Sequence, residues 1–251
     1  MRDVPDSHPR AVSLRIRNAI VEGVEMGITS PHGLLAHGRG EAFDYLIGEK
    51  TQPFAKRAIK AAAALLLTAK HPVISVNGNA AALVPKELVR LSKVIPAPLE
   101  VNIFHASKKR EKNIKAFLQK KGAENILMPG NAVLKYIDHN RRFCNREGIC
   151  KADVVFVPLE DGDRCEALRK MGKKVTTIDL NPMSRTAEKA NITIVDNIVR
   201  ALPLLVKEIK HFRKRKSSEW KRRIKDYNNK RILAESLRRI RKKLMGLQWN
   251  G

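Results

Sequence analysis

The sequence predicts an α/β fold: a Rossmann-like, mostly parallel sheet with helices on both faces, an N-terminal helical layer and C-terminal basic helices. From residue 72 onward, apolar runs of four to six residues alternate with helical patterns, as in a parallel sheet covered on both faces. Most of these runs end on polar side chains, which are typical of the ligand-binding edge of such a sheet. Before residue 70, apolar residues recur at helical spacing instead.

Three helices are expected in residues 1–70. Ser7-His8-Pro9 and Ser30-Pro31 each resemble a helix cap followed by a proline in the first turn. Gly27 and Gly48 are expected to end these two helices, and Pro53 should open a third. The three helices are expected at about residues 9–26, 34–46 and 53–67.

Six strands and at least four helices are expected in the rest of the body. The strands are predicted at residues 73–76, 99–104, 125–128, 153–157, 175–178 and 192–195. The helices are predicted at residues 80–91, 108–121, 198–212 and in a segment that ends at Met171. Because there are no internal repeats or low-complexity linkers, residues 1–212 are predicted to form one domain, with residues 213–251 as a basic helical extension.

The net charge of +25 is unevenly distributed. Residues 207–243 carry 17 Lys and Arg against 4 acidic residues, which is half of the excess. Such a segment could contact RNA, an acidic partner or a second subunit, and a solvated basic helix is an equal interpretation. The alternative function is therefore a nucleic-acid-binding protein that uses this tail. Its few aromatic residues, Trp220, Tyr227 and Trp249, make a poor stacking platform and argue against it.

Several other classes are disfavoured by composition. No apolar run reaches the roughly 18 to 20 residues that span a bilayer, and residues 1–20 are charged, unlike a signal peptide. A soluble, cytoplasmic protein is expected. Cys144, Cys150 and Cys165 lack metal-site spacing, so no metal site is predicted and free thiols are expected. A Cys144–Cys150 disulfide is the alternative. The scarcity of Gln beside abundant Lys, Arg and Glu is typical of thermophiles.

Polar side chains follow five of the six predicted strands. Because parallel strands place their carboxyl ends at one edge, we expect these side chains to meet there. For Asn197 taken alone, capping of the next helix is the more frequent reason. The side chains are Asn77 and Asn79; His105 with Lys108, Lys109 and Arg110; Asp161 and Asp163; Asp179 and Asn181; and Asp196 and Asn197.

Residues 174–200 indicate a nucleotide site. Two strands about a dozen residues apart end on acids and amides, and Arg185 and Thr186 between them offer a cation and a hydroxyl for phosphate. Neither GxGxxG nor GxxxxGK[ST] occurs. Gly33, Gly38 and Gly40 surround Arg39 without completing a motif, and by themselves are interpreted as a flexible turn that carries an arginine.

A second anion site is indicated where Lys108, Lys109 and Arg110 open a helix. Cations in a first turn oppose the helix dipole, and a bound phosphate would reconcile them with it. A solvated charge run is the alternative. His105, just before them, could be a general acid or base, a donor to phosphate, or a structural histidine.

Four segments of the chain are distinctive: VNGNAAAL (76–83), PLEDGDR (158–164), DLNPMSRTA (179–187) and VDNIVRA (195–201). Together they resemble archaeal 4-phosphopantoate–β-alanine ligases, also called phosphopantothenate synthetases. The resemblance runs from about residue 8 to residue 212 and along the basic tail. It implies a Rossmann-like homodimer that joins 4-phosphopantoate to β-alanine and converts ATP to AMP and pyrophosphate, in coenzyme A biosynthesis.

The resemblance also implies site residues. The ATP contacts are Arg17, Arg39, Asp179, Leu180, Asn181, Arg185, Thr186, Asn197 and Ile198. The substrate contacts are Asn77, Asn79, His105, Lys108, Lys109, Arg110, Asp161 and Asp163. Arg185, Lys108 and His105 are the expected catalytic groups, since the reaction needs charge neutralisation rather than a protein nucleophile. Mg²⁺ is expected on the nucleotide phosphates, with Asp161, Asp163 or Asp179 as contacts through water. Asp179 could instead bind a ribose hydroxyl.

Overall fold

The computed structural model describes residues 4–105 and 107–246, and it confirms the predicted α/β class. Its main sheet has six parallel strands in the order β3-β2-β1-β6-β7-β8. The strands are β1 Pro72–Val76, β2 Leu99–Val101, β3 Ile126–Leu127, β6 Val154–Phe156, β7 Lys174–Ile178 and β8 Ile192–Ile194. A separate antiparallel pair consists of β4 Ala132–Val133 and β5 Phe143–Cys144.

Eleven α-helices lie in the described residues. The N-terminal layer is α1 Ala11–Glu25, α2 Pro31–Ile47 and α3 Pro53–Thr68. The helices between and after the strands are α4 Gly78–Leu83, α5 Pro85–Val94, α6 Lys108–Lys120, α7 Gly162–Lys170, α8 Arg185–Lys189 and α9 Ile198–Phe212. The C-terminal pair is α10 Ser217–Lys225 and α11 Asn229–Met245. None of the described helices is both long and apolar enough to cross a membrane.

Both faces of the sheet are covered, as predicted. Neighbouring strand residues point to opposite faces, so Ile74 and Phe156 join one apolar cluster while Val73 and Val155 join another. The first cluster includes residues of α3, α5 and α9, and the second includes residues of α7. This burial on two faces explains why the strands are continuous apolar runs.

Several predicted boundaries differ from the structure, and three of these differences are informative. The helix expected at residues 80–91 is two helices, because Pro85 lacks the N–H that a continuous helix would need and opens α5 instead. The strand expected at 99–104 ends at Val101, and the side-chain amide of the next residue, Asn102, donates to Phe143 O at 3.1 Å. The first helix starts at Ala11 rather than near Pro9.

Two further features bear on the sequence expectations. The β4–β5 pair was not predicted, because strands of two residues carry no periodicity. All three cysteines are free thiols, so the alternative of a Cys144–Cys150 disulfide is wrong.

The C-terminal basic helices pack against the body. Ile232, Leu233 and Ile240 of α11 belong to the first apolar cluster. The N–H of Thr193, on the edge strand β8, donates to Asn229 Oδ1 at 2.9 Å. Helix α11 therefore also supplies a hydrogen-bond acceptor to a backbone group at the edge of the sheet. Deletion of residues 213–251 would therefore expose core, and it would not test nucleic-acid binding in isolation.

Candidate active site

Helix α2 lies across the carboxyl edge of the sheet and contacts the ends of three strands. After β1, the Asn79 amide donates to Gly33 O at 2.9 Å. After β7, Leu180 lies close to Gly40, and after β8 the Asn197 amide donates to Asp44 Oδ2 at 2.8 Å. Three of the five strand ends that the sequence predicted to meet are therefore joined by one helix.

The glycines around Arg39 lie inside α2, so the predicted flexible turn is wrong. A Cβ at Gly33 would lie 2.3 Å from Asn79 Oδ1, which means that glycine permits the close approach to the end of β1. Helical glycines cost about 1 kcal/mol each relative to alanine, and here the close packing of α2 on the strand ends offsets part of that cost.

A cavity of about 250 Å³ lies between α2 and the ends of β1 and β2. We call it the cationic cavity, because its lining includes three arginines against one carboxylate. It brings together six of the predicted residues, among them Arg39 from α2 and Arg110 from α6. The six are Arg39, Asn77, Asn79, His105, Arg110 and Asp161.

The two asparagines of this cavity are bonded to the protein itself. The Asn77 amide donates to the carbonyl oxygens of Pro158 and Leu159 at 3.0 and 2.9 Å, and its Oδ1 accepts from the N–H of Ala80. Asn79 Oδ1 accepts from the Thr29 hydroxyl at 2.6 Å. These side chains therefore join the loops that form the cavity wall.

A buried charge network supports the opposite wall, and of its residues only Asp161 was predicted from the sequence. Arg141 donates to Asn102 Oδ1 at 2.9 Å and pairs with both Glu160, at 2.6 Å, and Asp161. Glu160 also pairs at 2.5 Å with Arg164, whose side chain is fully buried. Burial lowers the pKa of Arg164, and the Glu160 charge counteracts it. Arg141 lies in an irregular segment without periodicity, so no sequence signal marked it.

Aromatic rings form the rim around His105. Its ring centroid lies 4.8 Å from that of His32 and 4.9 Å from that of Phe104. Phe104 in turn lies 5.1 Å from His139, whose Nε2 is 2.6 Å from Asp163 Oδ2. The pKa of Asp163 lies below its ordinary value. Burial alone would raise this pKa, but the hydrogen bonds from His139 and from the Arg164 N–H have the larger combined effect. Asp163 is thus part of a histidine–carboxylate pair beside the cavity.

A second cavity, of about 360 Å³, lies beside the first between the start of α6 and the β4–β5 pair. We call it the hairpin cavity. Ile103 borders both cavities. Ser107 caps α6 by accepting from the Arg110 N–H at 3.3 Å, so the basic cluster lies in the first turn, as predicted. Lys108 lines this cavity, whereas Lys109 lines neither.

Two of the three cations predicted to bind ATP, Arg17 and Arg185, are ion-paired and line neither cavity, whereas Arg39 lines the cationic cavity. Arg17 pairs with Glu41 at 2.9 Å, and Arg185 pairs with Glu166 at 2.5 Å. Arg185 lowers the pKa of the partly buried Glu166 to about 2, with help from nearby lysines. Both arginine side chains are solvent-exposed, so their pairs are open to competition from a ligand.

The remaining predicted ATP contacts lie at the ends of β7 and β8. Asp179 accepts from the Ser184 hydroxyl and the Asn181 N–H, yet burial raises its pKa. The Thr186 hydroxyl donates to Glu160 O at 2.7 Å. Asn197 caps α9 by accepting from the Val199 N–H at 3.2 Å, which confirms the capping interpretation. Ile198 opens α9 and is buried, and Leu180 packs under Gly40.

The described residues do not fit a magnesium ion held by the protein. No group of three or more His, Cys, Asp or Glu among them could hold a metal. The carboxylates expected to contact Mg²⁺ each bond to a donor of the protein: Asp161 to Arg141, Asp163 to His139 and Asp179 to Ser184.

Comparison with known proteins gives full-length matches. A family model described as phosphopantothenate/pantothenate synthetase matches residues 54–243, from the start of α3 to the end of α11. Proteins named 4-phosphopantoate–β-alanine ligase from Thermococcus kodakarensis and Thermococcus onnurineus are 49% and 50% identical, over 100% of this chain and 97% of their own. The protein of that name from Methanosarcina mazei is 48% identical over 97% of this chain and 96% of its own.

Proposed function

The chain belongs to the phosphopantothenate/pantothenate synthetase family, and we propose that it joins 4-phosphopantoate to β-alanine at the expense of ATP. The observation that carries this proposal is identity near one half, over the whole chain, to relatives named for that reaction. The products are 4′-phosphopantothenate, AMP and pyrophosphate, so the reaction is a step of coenzyme A biosynthesis.

The proposed chemistry has two steps. A carboxylate oxygen of 4-phosphopantoate attacks the α-phosphorus of ATP, and the bond from this phosphorus to the oxygen that bridges it to the β-phosphorus breaks. Pyrophosphate departs, and the product that remains is an acyl adenylate. The β-alanine ammonium first gives a proton to water, and the free amine then attacks the acyl carbon. The nitrogen loses a second proton to water, while AMP departs with the electrons of the C–O bond. Every reactant but the amine is an anion, so positioning by cations and polar donors is the main requirement.

The cationic cavity supports binding of 4-phosphopantoate, which carries a phosphate and a carboxylate. Arg39 and Arg110 line it and form no ion pair with any other described residue, so their charges are available to a ligand. His105 lies beside them, where an imidazole N–H can donate to phosphate. In this proposal Arg110 and His105 hold the phosphate, while Arg39 lies towards the nucleotide.

ATP is placed, in the same proposal, along α2 and the ends of β7 and β8. Arg17 and Arg185, whose own side chains face solvent, exchange their carboxylate partners for phosphate oxygens of ATP. Asp179 and Asn181 lie at a strand end, the usual position of ribose contacts. Magnesium arrives bound to the nucleotide phosphates.

A product assay tests the reaction. Protein, ATP and 4-phosphopantoate are mixed with and without β-alanine, and AMP and the amide product are quantified. We expect β-alanine to accelerate AMP release and one amide to form per AMP. AMP release that is no faster with β-alanine, without an amide product, would contradict the proposal. Arg185→Ala should raise the KM for ATP, and an unchanged KM would remove Arg185 from the nucleotide site.

We propose further that the protein is a cytoplasmic homodimer. Its three free thiols are typical of a reducing compartment. Val12 of α1 and Leu35 of α2, two helices that pack together, expose 63% and 71% of their surface, as expected of side chains that a second subunit covers. Analytical ultracentrifugation should give a dimer mass for the native chain and a monomer mass for Leu35→Asp. An unchanged mass in the variant would exclude this face.

A further inference from the structure

The hairpin cavity differs in charge from the cationic cavity beside it. Among its lining residues only Lys108 and Glu111 are charged, so the lining is close to neutral overall. The cationic cavity instead has three arginines against one aspartate. The cationic cavity therefore favours a doubly anionic ligand, whereas the hairpin cavity matches a zwitterion.

Glu111 is the most constrained charge in the hairpin cavity. Its side chain is only 7% exposed, and its one ion-pair partner among the described residues is Lys108 Nζ at 3.4 Å. The Lys108 side chain is 83% exposed and therefore loosely held. A carboxylate removed from water needs a close cationic partner, and a mobile lysine at 3.4 Å meets that need incompletely. A ligand ammonium in the cavity would complete it.

The rest of the cavity is neutral and firmly held. Its lining includes the side chains of Asn131, Asn140 and Phe143. The hairpin that carries part of this wall is tied to the sheet, because the buried Glu100 carboxylate accepts from the N–H groups of Asn145 and Ile149 at 2.9 and 2.6 Å. The volume of the hairpin cavity, about 360 Å³, is suitable for a small molecule.

We propose that the hairpin cavity binds the small amino-acid co-substrate, with its ammonium on the Glu111 carboxylate and its carboxylate on Lys108. This inference rests on the proposed ligase function and names the site of its second substrate. The partial positive charge at the N-terminus of α6 reinforces the carboxylate end. Since Ile103 borders both cavities, an amine bound here lies next to an acyl group in the cationic cavity.

The proposed site should discriminate between amines. Both charged ends of the amino acid are recognised, so a primary amine without a carboxylate, such as propylamine, should be a much poorer acceptor than β-alanine. If propylamine were used as efficiently as β-alanine, recognition of a zwitterion would be wrong.

Glu111→Gln tests the site, because it removes the charge and keeps the shape. Two measurements separate the half-reactions: ATP–pyrophosphate exchange dependent on 4-phosphopantoate, which needs no amine, and steady-state amide formation. We expect exchange within about twofold of the native rate and a KM for β-alanine raised at least about 30-fold. Glu124→Gln, which removes an exposed carboxylate paired with Lys93, is the matched control and should change neither value.

The outcomes distinguish the inference from the proposed function. If the KM for β-alanine in Glu111→Gln equals that of the native protein, the inference is wrong but the ligase function stands. The inference is also wrong if a folded Glu111→Gln variant loses ATP–pyrophosphate exchange. Absence of both exchange and amide formation in the native protein overturns the proposed function itself. If Glu111→Gln does not fold, Asn131→Trp fills the same cavity from its exposed lip and must raise the KM for β-alanine.

Discussion

The two ends of the strand edge use charge in different ways. At the end formed by β7, β8 and α9, charged groups are bonded to one another: Arg200 pairs with Asp44 at 2.5 Å and with Asp196 at 2.8 Å. At the end formed by β1, β2 and α6, Arg39 and Arg110 face a cavity without any ion pair to the other described residues.

Burial explains this difference. Asp44 and Asp196 lie almost entirely out of water, and an unpaired carboxylate there would cost several kcal/mol, so each must have a partner for the chain to fold. Arg39 and Arg110 keep access to solvent and need none. The comparison indicates that charges at the first end mainly hold α2 and α9 on the sheet, whereas charges at the second end are available to a ligand.

Glu160 lies between the two ends and should give the largest effect. Glu160→Gln would leave Arg141 and Arg164 buried beside each other without their shared carboxylate. Removing one partner of a buried pair costs about 3–5 kcal/mol, so we expect the free energy of unfolding to fall by about that amount in urea. Glu147→Gln, which removes an exposed carboxylate, is the control. A loss below about 1 kcal/mol would show that the network is dispensable.

Arg110→Ala tests the substrate end through activity. Removing a charge-assisted contact to phosphate should lower kcat/KM for 4-phosphopantoate about 100-fold, or about 2.7 kcal/mol. Stability should stay within about 0.5 kcal/mol, since Arg110 has no ion pair among the described residues. Lys112→Ala, in the same helix, should leave kcat/KM unchanged. A loss of stability in Arg110→Ala without a loss of activity would mean that Arg110 holds the fold and does not bind the substrate.

Asp44→Asn tests the other end through stability. The substitution weakens the bonds to Arg200 and to the Asn197 amide. Hydrogen bonds to charged groups contribute about 1.5–3 kcal/mol, so we expect unfolding to become easier by about 2 kcal/mol, measured by urea denaturation. A variant as stable as the native protein would mean that α2 is held on the sheet by other contacts.

Glu166 should show the smallest effect, as a titration. Arg185 holds the pKa of Glu166 at about 2, below the ordinary carboxyl value. Because the folded pKa is the lower one, the stabilising contribution is present near neutral pH and is lost as pH falls through about 2. Carbon NMR should therefore show Glu166 still ionised at pH 3, and Arg185→Ala should return its pKa towards about 4.3. An unaltered titration in that variant would exclude the pair.

Much of this arrangement could be predicted from local pattern. All six parallel strands, the cap at Asn197 and the meeting of polar strand ends follow from apolar runs and from side chains that end them. The β4–β5 pair could not be predicted, because two-residue strands carry no period. A helix over residues 34–46 was predicted, but the glycines around Arg39 were interpreted as a flexible turn, since the close contacts that Gly33 and Gly40 make with Asn79 and Leu180 lie far along the chain.

The sequence by itself determined the fold class, the parallel order of strand and helix, and which edge carries polar groups, because these depend on residues a few positions apart. Only the tertiary structure decided which of those groups are paired. Arg200 reaches Asp44 across 156 residues, and Arg141 reaches Asn102 across 39. Whether a charge holds the fold or faces a cavity depends on burial and on partners brought together by the sheet, and no local pattern encodes either.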